Sequence, residues 1–439
     1  MDDYRTKVTE ALSLILEMYV DEADVRDWAC AWSGGKDSTT VLGLLVTAIE
    51  SLPVERRTRK IHVVMSDTKV ENPVLESYMY DQLRKLTDYT QKNNLPIVVD
   101  SVKAPTAQSY FVLTLGRGYF LPQSNGKGRW CTDRLKLQPQ NNKLAEISPS
   151  HILIGTRLAE SALREKSIKK WSTSMYLGDH AYLNESKTFM PIVNWTLDDV
   201  WRYLGENSLK WSSSRAVRNL YKDATGECGI NNPESVSNKA EKMESCGARF
   251  GCWLCPVILK DRSTEEMSKV HEWMEPLSEW RSMQLKIYGS YVPIRPKGQG
   301  RKERSFALRK QEAVNEEIRY LTKAGFNRVG KRLKDGQGTL TVEARKFLFN
   351  SLIETEKLVN RLREYAELPP LKLISNEEIK LIHDIWETDY KEYPHLITNA
   401  LSLPIDNLPS LLDGEISEQK AAEYLAKWSE RKKKSKEAI

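Results

Sequence analysis

The sequence predicts an α/β fold built on a parallel sheet, followed by a cysteine-rich metal-binding insert and a mainly helical C-terminal region. Three observations carry this. The runs 61–65, 96–99 and 151–154 are apolar and largely β-branched, and they lie far enough apart for helical crossovers between parallel strands. Four cysteines, Cys228, Cys246, Cys252 and Cys255, fall in a polar, glycine-containing stretch where the strand pattern has faded. Beyond residue 290 the apolar residues recur at helical spacing.

Taken in order, Val8, Leu12, Ile15 and Leu16 mark a first helix over 5–20, and 27–32 reads as a short buried strand ending at a glycine turn. A helix rich in Leu42, Leu44 and Leu45 follows. Asn72 before Pro73 is a cap and first-turn pair for a helix running to about Lys92. In the C-terminal third, 342–362 and 376–386 are amphipathic, and the second is preceded by the capping signal Ser375-x-x-Glu378. The charged tail 431–436 is expected to be disordered. Three regions result: an α/β domain over 1–205, a cysteine-rich cluster-binding segment over 206–290, and a helical region over 291–439.

With 40% hydrophobic and 29% charged residues and no apolar run of membrane-spanning length, the 439-residue chain reads as soluble and globular, with no membrane partner. Its start, Met1-Asp2-Asp3-Tyr4-Arg5, is not that of a secretory signal, so a cytoplasmic location is expected. In that reducing compartment six cysteines point to metal or catalytic use before disulfides. A net charge of +6 hints at anionic partners.

The segment Ser33-Gly34-Gly35-Lys36-Asp37-Ser38-Thr39 joins the first strand to the first crossover helix, where backbone N–H groups and the helix dipole attract an anion. Glycines let a phosphate approach the backbone. Ser33, Ser38 and Thr39 offer hydroxyls, Lys36 neutralises charge, and Asp37 is placed to help hold Mg²⁺. The spacing is not that of a Walker loop. Asp67, ending the second strand at the carboxyl edge of the sheet, is a candidate for the ribose or a metal, or else a surface acid in a turn. After the fourth strand, Gly155 is followed by Arg157 and Arg164, read as lying on one helical face, either clamping an anion or pairing with Glu160 and Glu165.

The four clustered cysteines have the spacing C-x17-C-x5-C-x2-C, enough thiolates for zinc or for an iron–sulfur cluster. Between 295 and 310, seven lysines and arginines stand against the single acid Glu303. Such a run tracks a DNA backbone or is simply a solvated face.

The loop at 33–39 resembles the PP-loop, SGGxDS, of the ATP pyrophosphatase superfamily, whose fold is the adenine nucleotide alpha hydrolase-like core. With Ser66-Asp67-Thr68-x-Val70-Glu71-Asn72-Pro73, Arg129-Trp130-Cys131-Thr132-x-Arg134-Leu135-Lys136 and Gly155-x-Arg157, the chain is similar to its phosphoadenosine phosphosulfate (PAPS) reductase-like branch. Two further motifs, Pro191-Ile192-Val193-x-Trp195-x-x-x-Asp199-Val200-Trp201 and Arg249-Phe250-Gly251-Cys252-Trp253-x-Cys255, narrow the resemblance to the DNA phosphorothioation family that includes DndC and SspD. The resemblance is specific over about 25–265 and loose beyond.

That resemblance implies ATP use while sulfur from a cysteine desulfurase replaces a DNA phosphate oxygen, in company with other phosphorothioation proteins, and it implies a [4Fe-4S] cluster on the four cysteines. The chemistry is coherent. A phosphodiester oxygen is a poor leaving group, and adenylation with release of pyrophosphate converts it into a good one. Cys131, beside Arg129, Arg134 and Lys136, is then the candidate sulfur carrier, the alternative being a structural cysteine next to Trp130. Lys36, Asp37 and Arg157 complete the expected catalytic set. Cys30, inside the first strand, belongs to the core.

Two rival functions stand beside this one. A PAPS or adenosine phosphosulfate reductase would act on a small sulfonucleotide through a C-terminal Glu-Cys-Gly-Leu-His segment. Here Glu227-Cys228-Gly229-Ile230-Asn231 only partly matches it, and lies mid-chain. A non-catalytic assembly subunit would bind ATP to organise partners, against which the intact loop argues.

Overall fold

The computed structural model describes residues 3–119, 121–122, 129–207, 209–225, 250–258, 261–289, 342–389, 419–427 and 429–430. Cys228, Cys246, the basic stretch 295–310 and the tail 431–436 lie outside them. Two compact units are present, one from 1–104 with 132–250, the other from 105–131 with 251–439. The described residues of 105–131 cluster with those of 251–439.

The first unit is a six-stranded sheet. Its strands are β1 (Trp28–Ala31), β2 (Ile61–Asp67), β3 (Ile97–Lys103), β4 (His151–Leu153), β5 (Leu177–Asp179) and β6 (Lys187–Phe189), in the order β3-β2-β1-β4-β6-β5. All neighbours are parallel except β5, which runs antiparallel to β6. Register places Cys30 between Val63 and Leu153 at the sheet centre. There burial pushes its thiol up to about 12, so Cys30 is an inert core group as expected.

Helices α1 (Asp3–Val20), α2 (Lys36–Ser51), α3 (Pro73–Lys92), α4 (Gln138–Ile147), α5 (Ala162–Trp171), α6 (Leu197–Glu206) and α7 (Arg215–Thr225) complete this unit. Helix α2 is buried along nearly its whole length from Ser38 to Ile49, which makes it the rigid crossover on which the loop rests. Asn72 caps α3 by accepting the Val74 N–H at 3.0 Å, with Pro73 in the first turn. Thr196 and Asp199 form a reciprocal capping box at α6. Lys7 Nζ also reaches Asp199 Oδ2 at 3.0 Å and ties α1 to that box.

The second unit contains α8 (Arg262–Val270), α9 (Glu275–Gly289), α10 (Val342–Tyr365) and α11 (Asn376–Asp389). Ser375 and Glu378 cap α11 reciprocally: the Glu378 N–H donates to Ser375 Oγ at 3.2 Å and the Ser375 N–H to Glu378 Oε2 at 2.8 Å. Residues 112–116 form a wide π-type turn. Two of its carbonyls take outside donors, Leu115 O from the Trp386 indole at 2.9 Å and Gly116 O from Arg345 at 2.6 Å. No described helix is long and apolar enough to cross a membrane.

Candidate nucleotide site and cysteine segment

Gly34 sits at φ +71°, where side chains are strained, and a Cβ there would come within 2.6 Å of Met79 Cγ. Gly35 is the N-cap of α2 and, lacking a side chain, makes no capping hydrogen bond of its own. The head of α2 therefore presents its amides and the positive end of its dipole toward the loop. Ser38 braces the turn: its hydroxyl accepts from Ser33 N–H at 3.2 Å and donates to Gly35 O at 3.1 Å.

A second crossover meets this loop backbone to backbone. A Cβ on Gly155, just past β4, would lie 2.6 Å from both Asp37 C and Ser38 N, so only glycine allows the approach. Arg157, two residues on, is extended and 4% exposed, and its Nε donates to Asp37 Oδ1 at 2.6 Å. Lys36 Nζ lies 3.2 Å from the other oxygen, Asp37 Oδ2. Two cationic side chains and a helix N-terminus thus converge on one patch, which is the arrangement a phosphate chain requires.

The geometry bears on three of the sequence assignments and corrects the last. Both Asp37 oxygens are engaged by cations, Oδ1 by Arg157 and Oδ2 by Lys36, so the carboxylate orients these two side chains at the loop. Thr39 is buried and its hydroxyl accepts the Trp32 indole N–H at 3.1 Å, which ties the head of α2 to the residue after β1. Arg157 and Arg164 do not share a helical face. Ser161 starts α5 by accepting the Arg164 N–H at 3.2 Å, which leaves Arg157 before the helix and Arg164 exposed on it, 3.3 Å from Glu160.

Asp67 is buried at the carboxyl end of β2. It accepts from Lys69 N–H at 2.8 Å, Lys69 Nζ at 2.7 Å and Tyr80 Oη at 2.5 Å, which ties the end of β2 to α3. Two further acids stand nearby. Burial raises the Glu71 carboxyl, partly offset by Lys136, and burial with the Asp67 charge pushes Glu76 up to about 7.

Sequence reasoning missed Tyr221 of α7. The Lys36 N–H donates to its hydroxyl at 3.3 Å, and its ring faces Lys36 Nζ at 5.1 Å. The only sequence signal was Trp201, whose ring packs edge-on against Tyr221 at 5.1 Å.

In the second unit Cys252 and Cys255 form a turn closed by Cys255 N–H donating to Cys252 O at 3.0 Å. Helix α9 holds this turn: Arg281 donates to Cys255 O at 2.8 Å and to Ile258 O, and Gln284 to Leu254 O at 3.2 Å. Gln284 also accepts from Tyr110 Oη at 3.1 Å, and Tyr110 stacks on Trp130 beside Cys131. Half-buried Cys131 therefore shares a scaffold with the Cys252–Cys255 turn. A C-x-x-C turn of this kind suits one edge of a zinc or iron–sulfur site. Among the described residues no group of three metal-ligating side chains gathers.

The sheet order, the glycine loop at the head of α2 and the Gly155 crossover define a PP-loop-like α/β domain. The family model of the phosphoadenosine phosphosulfate reductase domain matches residues 27–258, and the chain belongs to that family. No curated protein matches its sequence. Among solved structures it is similar to a PAPS reductase from Candida auris in a phosphate complex (16% identity, 48% of this chain and 85% of that one, TM-score 0.31). It is also similar to the U34-tRNA thiolase NcsA from Methanococcus maripaludis with its [4Fe-4S] cluster (14%, 67% and 84%, 0.32). A third is the Candida glabrata FMN adenylyltransferase with FAD and inorganic pyrophosphate (14%, 52% and 62%, 0.32). Likeness this remote bears on neither substrate nor cofactor.

Proposed function

We propose that this chain is an ATP pyrophosphatase of DNA phosphorothioation, working in the cytoplasm. One observation carries the ATP half of the reading: the Gly155 crossover packs against the head of α2 and gathers Lys36 and Arg157 there. Phosphates of ATP lie along this head, with Lys36, the α2 amides and Arg157 stabilising charge on the departing pyrophosphate. A non-bridging oxygen of a DNA phosphate attacks the α-phosphorus, pyrophosphate leaves, and sulfur then displaces AMP, which carries the original oxygen away.

The DNA half rests on the motif resemblance. Sulfur comes from a cysteine desulfurase, with Cys131 as carrier: the terminal sulfur of a Cys131 persulfide attacks the activated phosphorus and expels AMP, and a thiol reductant then attacks Cys131 Sγ, so that the phosphorothioate leaves with the electron pair of the S–S bond and Cys131 remains as a disulfide that a second thiol reopens. DNA is met through 295–310 or presented by partner proteins. Cys228, Cys246, Cys252 and Cys255 would hold a [4Fe-4S] cluster, or zinc; the metal supplies folding free energy to the segment. The preformed Cys252–Cys255 turn on α9 supports this.

Incubating the purified protein with ATP, a desulfurase with cysteine, a thiol reductant and DNA, then digesting the DNA for mass spectrometry, tests the reading. Phosphorothioate dinucleotides with AMP and pyrophosphate support it. The family description favours one other reading, a reductase of a small sulfonucleotide. Sulfite release from such a substrate, with no DNA product, would establish that reading instead.

A further inference from the structure

We propose that Tyr221 is a phosphate-binding residue of the loop, its hydroxyl donating to the same phosphate oxygen that accepts the Lys36 N–H. This rests on the reading of the loop as a phosphate site. Tyr221 is 4% exposed, yet its hydroxyl points at the loop: a Cβ on Gly35 would lie 3.4 Å from that oxygen. The Lys36 N–H donates to it at 3.3 Å, longer than the usual range for an N–H···O bond. It is a weak contact at the first amide of α2, a position where an anion is favoured.

The ring is held from two sides. Trp201 lies edge-on at 5.1 Å and 83°, and Phe250 at 4.7 Å and 80°. A phenylalanine would keep both ring contacts and the 5.1 Å approach of Lys36 Nζ over the ring face. The hydroxyl adds its contact with the loop. When a phosphate oxygen takes the Lys36 amide, the hydroxyl turns from acceptor to donor and Lys36 Nζ exchanges the ring for the anion. The aromatic clamp fixes the hydroxyl in advance, so little freedom is lost on binding.

The test is calorimetric titration of full-length wild type and Tyr221→Phe with inorganic pyrophosphate and, separately, adenosine. Wild type is expected to bind pyrophosphate and Tyr221→Phe to bind it about tenfold more weakly, the scale of a hydrogen bond to a charged group. Adenosine affinity and unliganded thermal stability should stay the same. Equal pyrophosphate affinity in the two proteins overturns the role of Tyr221 while leaving the loop reading intact. Wild type that does not bind pyrophosphate overturns the loop reading itself. Should Tyr221→Phe prove unstable, wild type labelled with ¹³Cζ-tyrosine decides: the absence of any tyrosine resonance shifting with pyrophosphate overturns the proposal.

Discussion

Arg157 Nε donates to Asp37 Oδ1 at 2.6 Å, joining two residues 120 positions apart where the β4 exit meets the head of α2. The guanidinium is nearly fully buried and the carboxylate largely so, and removing one partner strands the other. Asp37→Ala is expected to cost about 3 kcal/mol of stability, because it leaves a buried cation unpaired. It should also lower ATP turnover by loosening Lys36 and Arg157. Arg157→Lys, which retains charge but loses the planar fork, should fold nearly normally and still lose turnover. Denaturant unfolding beside turnover assays separates the two effects. Unchanged turnover in both variants would remove the pair from the site.

Gly155→Ala forces a Cβ to 2.6 Å from the backbone of Asp37 and Ser38, which no side-chain rotation relieves. The variant should lose several degrees of melting temperature and most of its ATP affinity together, since the same contact carries both. Wild-type affinity in a stable Gly155→Ala protein would contradict the account of how the two crossovers build the patch.

Glu76 gives a pH dependence with a defined sign. Its folded value of about 7 lies above the ordinary 4.5, so the folded state binds more protons between those values. Stability from this group is fully present below about pH 4.5 and falls as pH rises toward about 7, by up to about 3 kcal/mol. Glu76→Gln should flatten that fall. Melting curves from pH 5 to 8 check it, and parallel profiles for the two proteins would show that Glu76 does not titrate as assigned.

Much of the fold was legible because strands 61–65, 96–99 and 151–154 are apolar runs and the loop is a glycine turn between strand and helix. Strands β5 and β6 were not: Leu-Gly-Asp and Lys-Thr-Phe are three residues each, and only register against β4 reveals Phe189 as core. The Arg157–Arg164 face failed because Ser161 is a helix cap, a signal that a continuous helical pattern hides. The Ser375-x-x-Glu378 cap was readable since it is entirely local. Tyr221 was not, because nothing local to α7 shows that it meets a loop 185 residues earlier.

For the cysteine segment, anaerobically prepared wild type should be brown with about four irons and four sulfides per chain. Cys252→Ser and Cys255→Ser should both bleach it and loosen the segment, read by proteolysis. Colourless protein with one tightly bound zinc would contradict the cluster and keep the thiolate site. Cys131→Ser should keep both nucleotide binding and the cluster and stop sulfur transfer; loss of the cluster in that variant would make Cys131 a ligand, consistent with its shared scaffold.

The most direct measurement follows the products of ATP labelled at the α- and γ-phosphates, for wild type, Lys36→Ala and Ser38→Ala. Wild type should release AMP and pyrophosphate in equal amounts, and both variants should release neither while staying folded, because Lys36 and Ser38 serve the loop at the head of α2 and not the sheet core. Release of ADP and phosphate by wild type, or undiminished AMP and pyrophosphate from Lys36→Ala, would contradict the account.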